Sequence, residues 1–146
     1  MPKKNKKILL VDDNPVAQKM TAKVFSSDGY EVFLAWSKEE CLKIARAQVP
    51  DAILMDVIFT DGDGRELVKE LKKFPETKDI PIVFATNIID LESDKGAEQI
   101  IIADEAYRAF AKPLHYPKLL STVRKEINRK RNKNIIKNTT KEENLL

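Results

Sequence analysis

The stretch KKILLVDDNP, residues 6–15, decides the fold: four apolar residues run directly into two adjacent aspartates and a turn. A short, unbroken apolar run is typical of a strand buried on both faces, as in a parallel sheet. The Asn-Pro pair that follows marks a helix start, because proline is favoured in the first helical turn. The stretch therefore predicts a buried strand whose tip carries Asp12 and Asp13, followed by a helix.

Four more apolar runs follow, and segments with helical spacing separate them. The five runs cover residues 8–11, 31–35, 52–55, 81–85 and 108–111. The helical segments carry apolar residues three or four positions apart, namely Val16, Met20 and Val24, then Cys41, Leu42 and Ala45, then Leu67, Val68 and Leu71. A strand–helix unit repeated five times predicts an α/β fold with a parallel sheet.

The chain divides into a central domain and two basic ends. We expect a basic lead over 1–7, one domain over 8–128, and a basic helix end with a mobile tail over 129–146. The last helix is predicted to start at Tyr116, with one apolar face. That face consists of Leu119, Leu120, Val123 and Ile127. After Arg129 the composition turns to Lys, Asn, Thr and Glu, which is typical of a solvated segment.

Composition excludes several classes of protein. No apolar run approaches the length of a membrane span, and the run after the basic N-terminus is too short for a signal peptide. Cys41 and His115 are the only residues of their kinds, which excludes an intrachain disulfide, a multi-cysteine metal cluster and a catalytic histidine pair. We expect a cytoplasmic protein with no membrane partner.

The net charge of +3 hides a strong asymmetry. Residues 8–117 carry a net charge of −7, and the two ends together carry +10. The basic tail is either a solvated end or an electrostatic docking segment. It contains no aromatic residue and no helix-turn-helix pattern, so nucleic-acid binding is not favoured.

Polar residues follow the predicted strands at the positions where a parallel sheet binds its ligands. Asp12 and Asp13 follow the first strand, Asp56 the third, Thr86 the fourth and Lys112 the fifth. The carboxyl ends of parallel strands lie at one edge of the sheet, so these groups should meet there.

Such a set has a definite chemistry. Two unit charges about 4 Å apart repel by about 4 kcal/mol at an effective dielectric constant of 20. Clustered carboxylates therefore take up protons or bind a cation, and a few carboxylates with water suit Mg²⁺. A carboxylate beside Mg²⁺, a lysine and a hydroxyl form a site for phosphoryl transfer, with aspartate as the nucleophile.

The motifs LLVDDNP, ILMDVIFTDGDG, PIVFAT and FAKPL, in this order, resemble the receiver domain of bacterial response regulators. The resemblance covers about residues 7–127. It implies a flavodoxin-like, doubly wound sheet of five parallel strands in the order 2-1-3-4-5. It also implies a signalling phosphoacceptor rather than an enzyme.

The resemblance assigns a role to each site residue. Asp56 would accept a phosphoryl group from a sensor histidine kinase or a histidine phosphotransfer protein. Mg²⁺ would be bound by Asp13 directly, by Asp12 mostly through water, by Asp56 and by the backbone carbonyl of Ile58. Lys112 would pair with the phosphoryl group, and the peptide bond from Lys112 to Pro113 is usually cis in this family. Thr86 would be the switch hydroxyl that hydrogen-bonds the phosphoryl oxygen.

Some positions depart from the family pattern. Thr60 stands where the family often has proline, Asn87 stands where it often has a small residue, and Ala109 stands where it usually has the aromatic partner of the switch. Two apolar residues, Ile58 and Ile88, flank the expected route of attacking water. Because neither can orient water, we expect slow loss of the phosphoryl group.

The favoured interpretation is a stand-alone receiver that switches the binding of a downstream protein. One alternative is a pseudo-receiver, an interaction module that phosphate does not control, which Ala109 favours. The other is a receiver whose basic tail docks nucleic acid. An aspartate-nucleophile phosphatase needs a second acidic residue two positions after the nucleophile, but Asp12 is followed there by Asn14 and Asp56 by Ile58.

Overall fold

The computed structural model describes residues 5–59, 61–87 and 99–144, with side chains up to Lys133. The elements, in chain order, are β1 (Lys7–Val11), α1 (Pro15–Ser27), β2 (Glu31–Ala35), α2 (Lys38–Gln48), β3 (Ala52–Met55), β4 (Ile58–Phe59), β5 (Gly62–Asp63), α3 (Gly64–Leu71), β6 (Ile82–Thr86), β7 (Gln99–Ile102), β8 (Glu105–Ala111) and α4 (Tyr116–Asn144). None of the helices in these ranges is long and apolar enough to cross a membrane.

The main sheet has six strands in the order β2-β1-β3-β6-β8-β7. The first five of these are parallel to one another, which confirms the predicted order 2-1-3-4-5. Alternate residues of β1 face opposite sides: Leu9 packs with α2 and α3, whereas Leu10 packs with α1 and α4. Both faces of the sheet are therefore covered, as the unbroken apolar runs predict.

The sixth strand, β7, was not predicted. It pairs antiparallel with β8, and a two-residue turn at Ala103 and Asp104 joins them. Both turn residues have positive φ, 49° and 65°, as a type I′ hairpin turn requires. This hairpin occupies the later part of the segment for which a helix was expected between the fourth and fifth parallel strands. Residues 88–98, which include Ile88, lie outside the described residues.

Helix α1 buries a different face from the one its apolar spacing predicts. Val16 and Met20 are 70% and 58% exposed, whereas Gln18, Thr21 and Phe25 are buried. Phe25 anchors the helix through an edge-to-face contact with Tyr30, with ring centroids 5.3 Å apart. A buried aromatic ring removes more apolar surface from water than the exposed pair would, so it sets the phase of the helix.

The other helices follow the predicted faces. The buried residues are Cys41 and Ala45 in α2, Leu67, Val68 and Leu71 in α3, and Leu119, Val123 and Ile127 in α4. Helix α4 starts at Tyr116 as predicted, and its backbone continues to Asn144, past the Arg129 boundary at which we expected fraying. The division into 1–7, 8–128 and 129–146 stays a prediction.

Candidate functional site

The predicted site residues lie at the carboxyl ends of adjacent parallel strands. Asp12 follows β1, Asp56 follows β3, Thr86 ends β6, and Lys112 follows β8. Strand order reverses at β1, since β2 lies on one side of it and β3 on the other. Open α/β sheets bind ligands at such a switch point, because the helices that follow the two neighbouring strands diverge there and leave a crevice.

Lys112 brings two of the three predicted carboxylates together. Its Nζ donates to Oδ2 of Asp12 at 2.7 Å and to Oδ2 of Asp56 at 3.1 Å. The three side chains are only 13–15% exposed, so solvent screens this contact weakly. Burial alone would lower the pKa of Lys112, but the hydrogen bonds to Asp12 and Asp56 outweigh it, and the pKa lies above its ordinary value. The lysine is therefore a fixed cation between two carboxylates.

The backbone after β3 holds the other oxygen of Asp56. Oδ1 accepts hydrogen bonds from the backbone N–H groups of Val57 at 2.6 Å and Ile58 at 3.4 Å. The backbone N–H of Asp56 donates to the carbonyl of Val11, which ties the ends of β1 and β3 together. Oδ1 thus faces the backbone and Oδ2 faces Lys112.

Gly64 lets the start of α3 pack directly against this backbone. A Cβ at this position would clash with the carbonyl oxygen of Asp56. The backbone N–H of Gly64 donates to the carbonyl of Val57. The Asp63-Gly64 pair predicts from the sequence alone a turn into a helix, and the structure adds the close approach of Gly64 to the backbone of Asp56.

The Asp12 carboxylate also shapes the start of α1. Its Oδ1 accepts from the backbone N–H of Asn14, and the Asn14 side chain caps the helix by accepting from Val16 and Ala17. Asp13, the next residue, lies on the exposed side of the rim. The two adjacent aspartates therefore differ: Asp12 contacts Lys112, whereas Asp13 is exposed.

Thr86 and Lys112 are neighbours through the backbone. The N–H of Lys112 donates to the carbonyl of Thr86, whose side chain is buried, and the bond from Lys112 to Pro113 is cis, as the resemblance implies. Ala109 lies opposite Phe84, the residue two before Thr86. The nearby Tyr107 does not replace the missing aromatic, because its ring packs edge-to-face on Phe84 and its hydroxyl donates to Glu105.

The donor set suits a hard divalent cation in kind. It comprises the part-buried carboxylates of Asp12 and Asp56, the adjacent Asp13 and a backbone carbonyl oxygen. Mg²⁺ prefers a few carboxylates with water. Within the described ranges, no three His, Cys, Asp or Glu side chains are grouped as metal ligands. The cation that the structure places between Asp12 and Asp56 is the ammonium group of Lys112.

One further buried polar residue at this site was missed. Gln18 lies below the rim, on the buried face of α1. Because Val16 and Met20 were expected to face the core, Gln18 between them was expected at the surface. The wrong helix phase is therefore the reason that Gln18 was not predicted.

Comparison with known proteins gives one consistent result. The family model of the response regulator receiver domain matches residues 8–124. A polar-differentiation response regulator, DivK, of Brucella ovis is 30% identical over 119 residues, which span 82% of this chain and 94% of the relative.

Solved structures agree with that result. A crystal structure of a protein assigned as a response regulator from Chloroflexus aurantiacus aligns with a TM-score of 0.73 at 31% identity, and covers 86% of this chain and 99% of that one. The receiver domain of a sensor histidine kinase of Pseudomonas aeruginosa, which has a magnesium ion coordinated in its active-site cleft, aligns with a TM-score of 0.71 at 26% identity. It covers 86% of this chain and 99% of that one.

Proposed function

Because this chain belongs to the response regulator receiver family of two-component systems, we propose that it is a phosphoacceptor in a phosphorelay. In this proposal Asp56 takes a phosphoryl group from a sensor histidine kinase or a histidine phosphotransfer protein, with Mg²⁺. The phosphorylated chain then binds a downstream protein differently. It acts in the cytoplasm as a signalling module and does not turn over a substrate.

The contact of Lys112 with both Asp12 and Asp56 is the observation that carries this proposal. A lysine between two carboxylates, all three side chains only 13–15% exposed, costs desolvation, and such pairs are weak evidence of stability. The arrangement is explained if the lysine and the carboxylates serve a reacting phosphoryl group and a metal ion. A fixed cation next to a carboxylate oxygen stabilises charge on transferring phosphoryl oxygens.

The transfer itself is a displacement at phosphorus. A bond forms between an Asp56 carboxylate oxygen and phosphorus, and the bond from phosphorus to the imidazole nitrogen of the donor breaks. The donor imidazole keeps the electron pair and takes a proton from solvent. We assign Oδ2 of Asp56 as the attacking oxygen, because the N–H of Val57 holds Oδ1.

Mg²⁺, when bound, would neutralise the transferring oxygens. Its proposed protein ligands are the carboxylates of Asp12, Asp13 and Asp56 and the backbone carbonyl of Ile58. The oxygen-only donor set supports this assignment. So does the magnesium ion in the similar receiver domain from Pseudomonas aeruginosa.

An exposed apolar pair on α1 supports docking of a protein phosphodonor. Val16 and Met20 are large, exposed and four residues apart, in the half of α1 that follows Asp13. Large contiguous apolar patches mark protein-binding surfaces, and this pair offers a partner an apolar contact beside the site. A histidine-bearing partner seated on this pair would reach the rim that holds Asp56.

Acetyl phosphate tests the proposal without a kinase. The full chain is incubated with acetyl phosphate and Mg²⁺, and its intact mass is measured beside Asp56→Asn. We expect a gain of one phosphoryl group that requires Mg²⁺ and is lost in the variant. No gain by a folded protein, next to a receiver that is labelled under the same conditions, would contradict the proposal.

A second candidate function, the pseudo-receiver, is favoured by the packing of Tyr107. Ala109 stands at the usual aromatic position, and the ring of Tyr107 packs on Phe84 while its hydroxyl donates to Glu105, so Tyr107 does not take the role of the usual aromatic residue. Partner binding that is identical before and after labelling would select this alternative. A steep dependence of nucleic-acid binding on salt would instead indicate a docking role for the basic residues at the end of α4.

A further inference from the structure

Gln18 is a buried amide whose orientation is decided by its neighbours. It is 1% exposed, and its Nε2 donates to the carbonyl of Leu10 and to the carbonyl of Ala35, both at 2.9 Å. A nitrogen with two hydrogens satisfies two carbonyl acceptors, whereas the amide oxygen would be repelled by both. The Oε1 atom must therefore point away from the ends of β1 and β2.

That oxygen is a buried acceptor without a protein donor. No hydrogen-bond donor within the described ranges reaches Oε1 of Gln18, and the atom is inaccessible to solvent. Nearly all buried polar atoms in proteins are hydrogen-bonded, to protein groups or to ordered water. An exception therefore calls for a partner.

A small cavity lies next to Gln18 and provides room for that partner. Its volume is about 20 Å³, and its polar lining includes Gln18 and Thr21 from α1 and Asp12, Asp56 and Lys112 from the rim. A cavity needs about 10–15 Å³ to hold one water molecule. The space therefore fits a single water directly behind the carboxylate pair.

Thr21 can supply the second hydrogen bond that such a water needs. Its Oγ1 lies 3.1 Å from the hydroxyl of Tyr116, the first residue of α4. If Tyr116 donates, the proton of Thr21 is available to the cavity, and if Thr21 donates, its oxygen can still accept. In either arrangement Thr21 can bond a water that donates to Gln18.

We propose that this cavity is an internal water site, in which one water donates to Oε1 of Gln18 and hydrogen-bonds Oγ1 of Thr21. We propose in addition that Gln18 is a positioning residue for Asp12. The carbonyl of Ala35, which accepts from Gln18, also accepts from the backbone N–H of Asp12 at 3.2 Å. Through this shared acceptor, Gln18 holds the Ala35 carbonyl in position for the backbone N–H of Asp12, at the end of β1. Both statements concern the unphosphorylated chain and do not depend on the proposed phosphoryl transfer.

A crystal structure of the full chain at atomic resolution, without phosphodonor, tests the water site directly. We expect density for one water within hydrogen-bond distance of both Gln18 Oε1 and Thr21 Oγ1. A dry cavity, or a protein donor paired with Oε1, would overturn the assignment. This test uses the unaltered chain, so it does not depend on whether a variant folds.

Hydrogen exchange of two backbone amides tests the positioning role. The amide of Asp12 donates to Ala35 and that of Asp56 donates to Val11, so the second serves as an internal control. Gln18→Met, which keeps the side-chain length and removes the amide, should speed exchange at Asp12 about tenfold relative to Asp56.

Thr21→Val is the matched variant, because it removes one water partner, together with the contact to Tyr116, and keeps the bonds from Gln18 to both carbonyls. It should lose the water and leave the relative exchange of Asp12 unchanged. Equal acceleration of both amides in Gln18→Met would show that Gln18 only adds to overall stability, and would overturn the positioning role.

Discussion

Lys112 separates two carboxylates that are mostly shielded from solvent, and removing its charge tests that role at the level of a single residue. In Lys112→Met, Asp12 and Asp56 would face each other without a cation. We expect the free energy of unfolding to fall by about 3 kcal/mol, because breaking a buried ion pair leaves uncompensated charge. Urea unfolding measures the loss. Lys69→Met, which removes an exposed lysine paired with Glu66, should change it by no more than about 0.5 kcal/mol.

Ile58 governs the predicted lifetime of the phosphorylated state. It is 53% exposed beside Asp56, and an apolar side chain cannot orient an attacking water. Ile58→Asn should therefore speed loss of the phosphoryl group by on the order of tenfold. Phosphate release after removal of acetyl phosphate measures the rate. Ile101→Asn changes an isoleucine on β7 that is 64% exposed and should leave the rate unchanged, and equal rates in both variants would contradict the role of Ile58.

Cys41 makes stability depend on pH above 9. Burial raises the pKa of its thiol to about 12, from 9.0 in an accessible thiol. Between these values the unfolded chain loses the proton and the folded chain keeps it, so the unfolded state binds fewer protons and stability falls as pH rises. The contribution reaches up to about 1.4 kcal/mol per pH unit. Urea unfolding of wild type and Cys41→Ala should converge between pH 9 and 11, and parallel curves would contradict this.

The site residues at the ends of strands could be predicted from the sequence, whereas the buried residue that supports them, Gln18, could not. Asp12, Asp56, Thr86 and Lys112 each follow an apolar run, so topology alone brings them to one rim. The contact of Lys112 with both aspartates depends on side-chain geometry, which spacing does not encode. Gln18 was missed because a buried polar residue is recognisable only from its partners.

The hairpin of β7 and β8 is an element whose turn can be improved. Ala103 has φ of 49°, a left-handed conformation that costs an alanine roughly 1 kcal/mol and an asparagine less. Ala103→Asn should therefore raise the free energy of unfolding by about 0.5–1 kcal/mol. Ala106→Asn, within β8, should lower it slightly, because asparagine is disfavoured in strands. A loss of stability in Ala103→Asn would contradict the turn assignment.

Apolar periodicity predicted the buried faces of α2, α3 and α4 but not that of α1. In α3 and α4 the apolar residues gather on one side of the helix, and that predicted side is the buried one. In α1 apolar residues lie on two sides, and the bulk of Phe25 decided which side faces the sheet. The sixth strand was missed because QIII is short and Ala103, the first residue of its turn, is a weak turn signal.

At the scale of the whole molecule, the fold converts distant sequence positions into one site. Asp12 and Lys112 are 100 residues apart, and they meet because β1 and β8 are parallel strands of one sheet. Charge is also distributed unevenly between the acidic central domain and the basic ends of the chain. The acidic body carries the rim, and basic residues line α4 where it continues beyond Ile127, its last buried residue in the range with described side chains.

The structure leaves two aspartates in contact with Lys112, so the identity of the phosphoacceptor is the central claim to test. The chain is labelled with acetyl phosphate and Mg²⁺, the acyl phosphate is reduced with borohydride to leave homoserine, and the modified peptide is sequenced by mass spectrometry. We predict homoserine at Asp56 alone. Homoserine at Asp12 or Asp13, with Asp56 unmodified, would contradict the account.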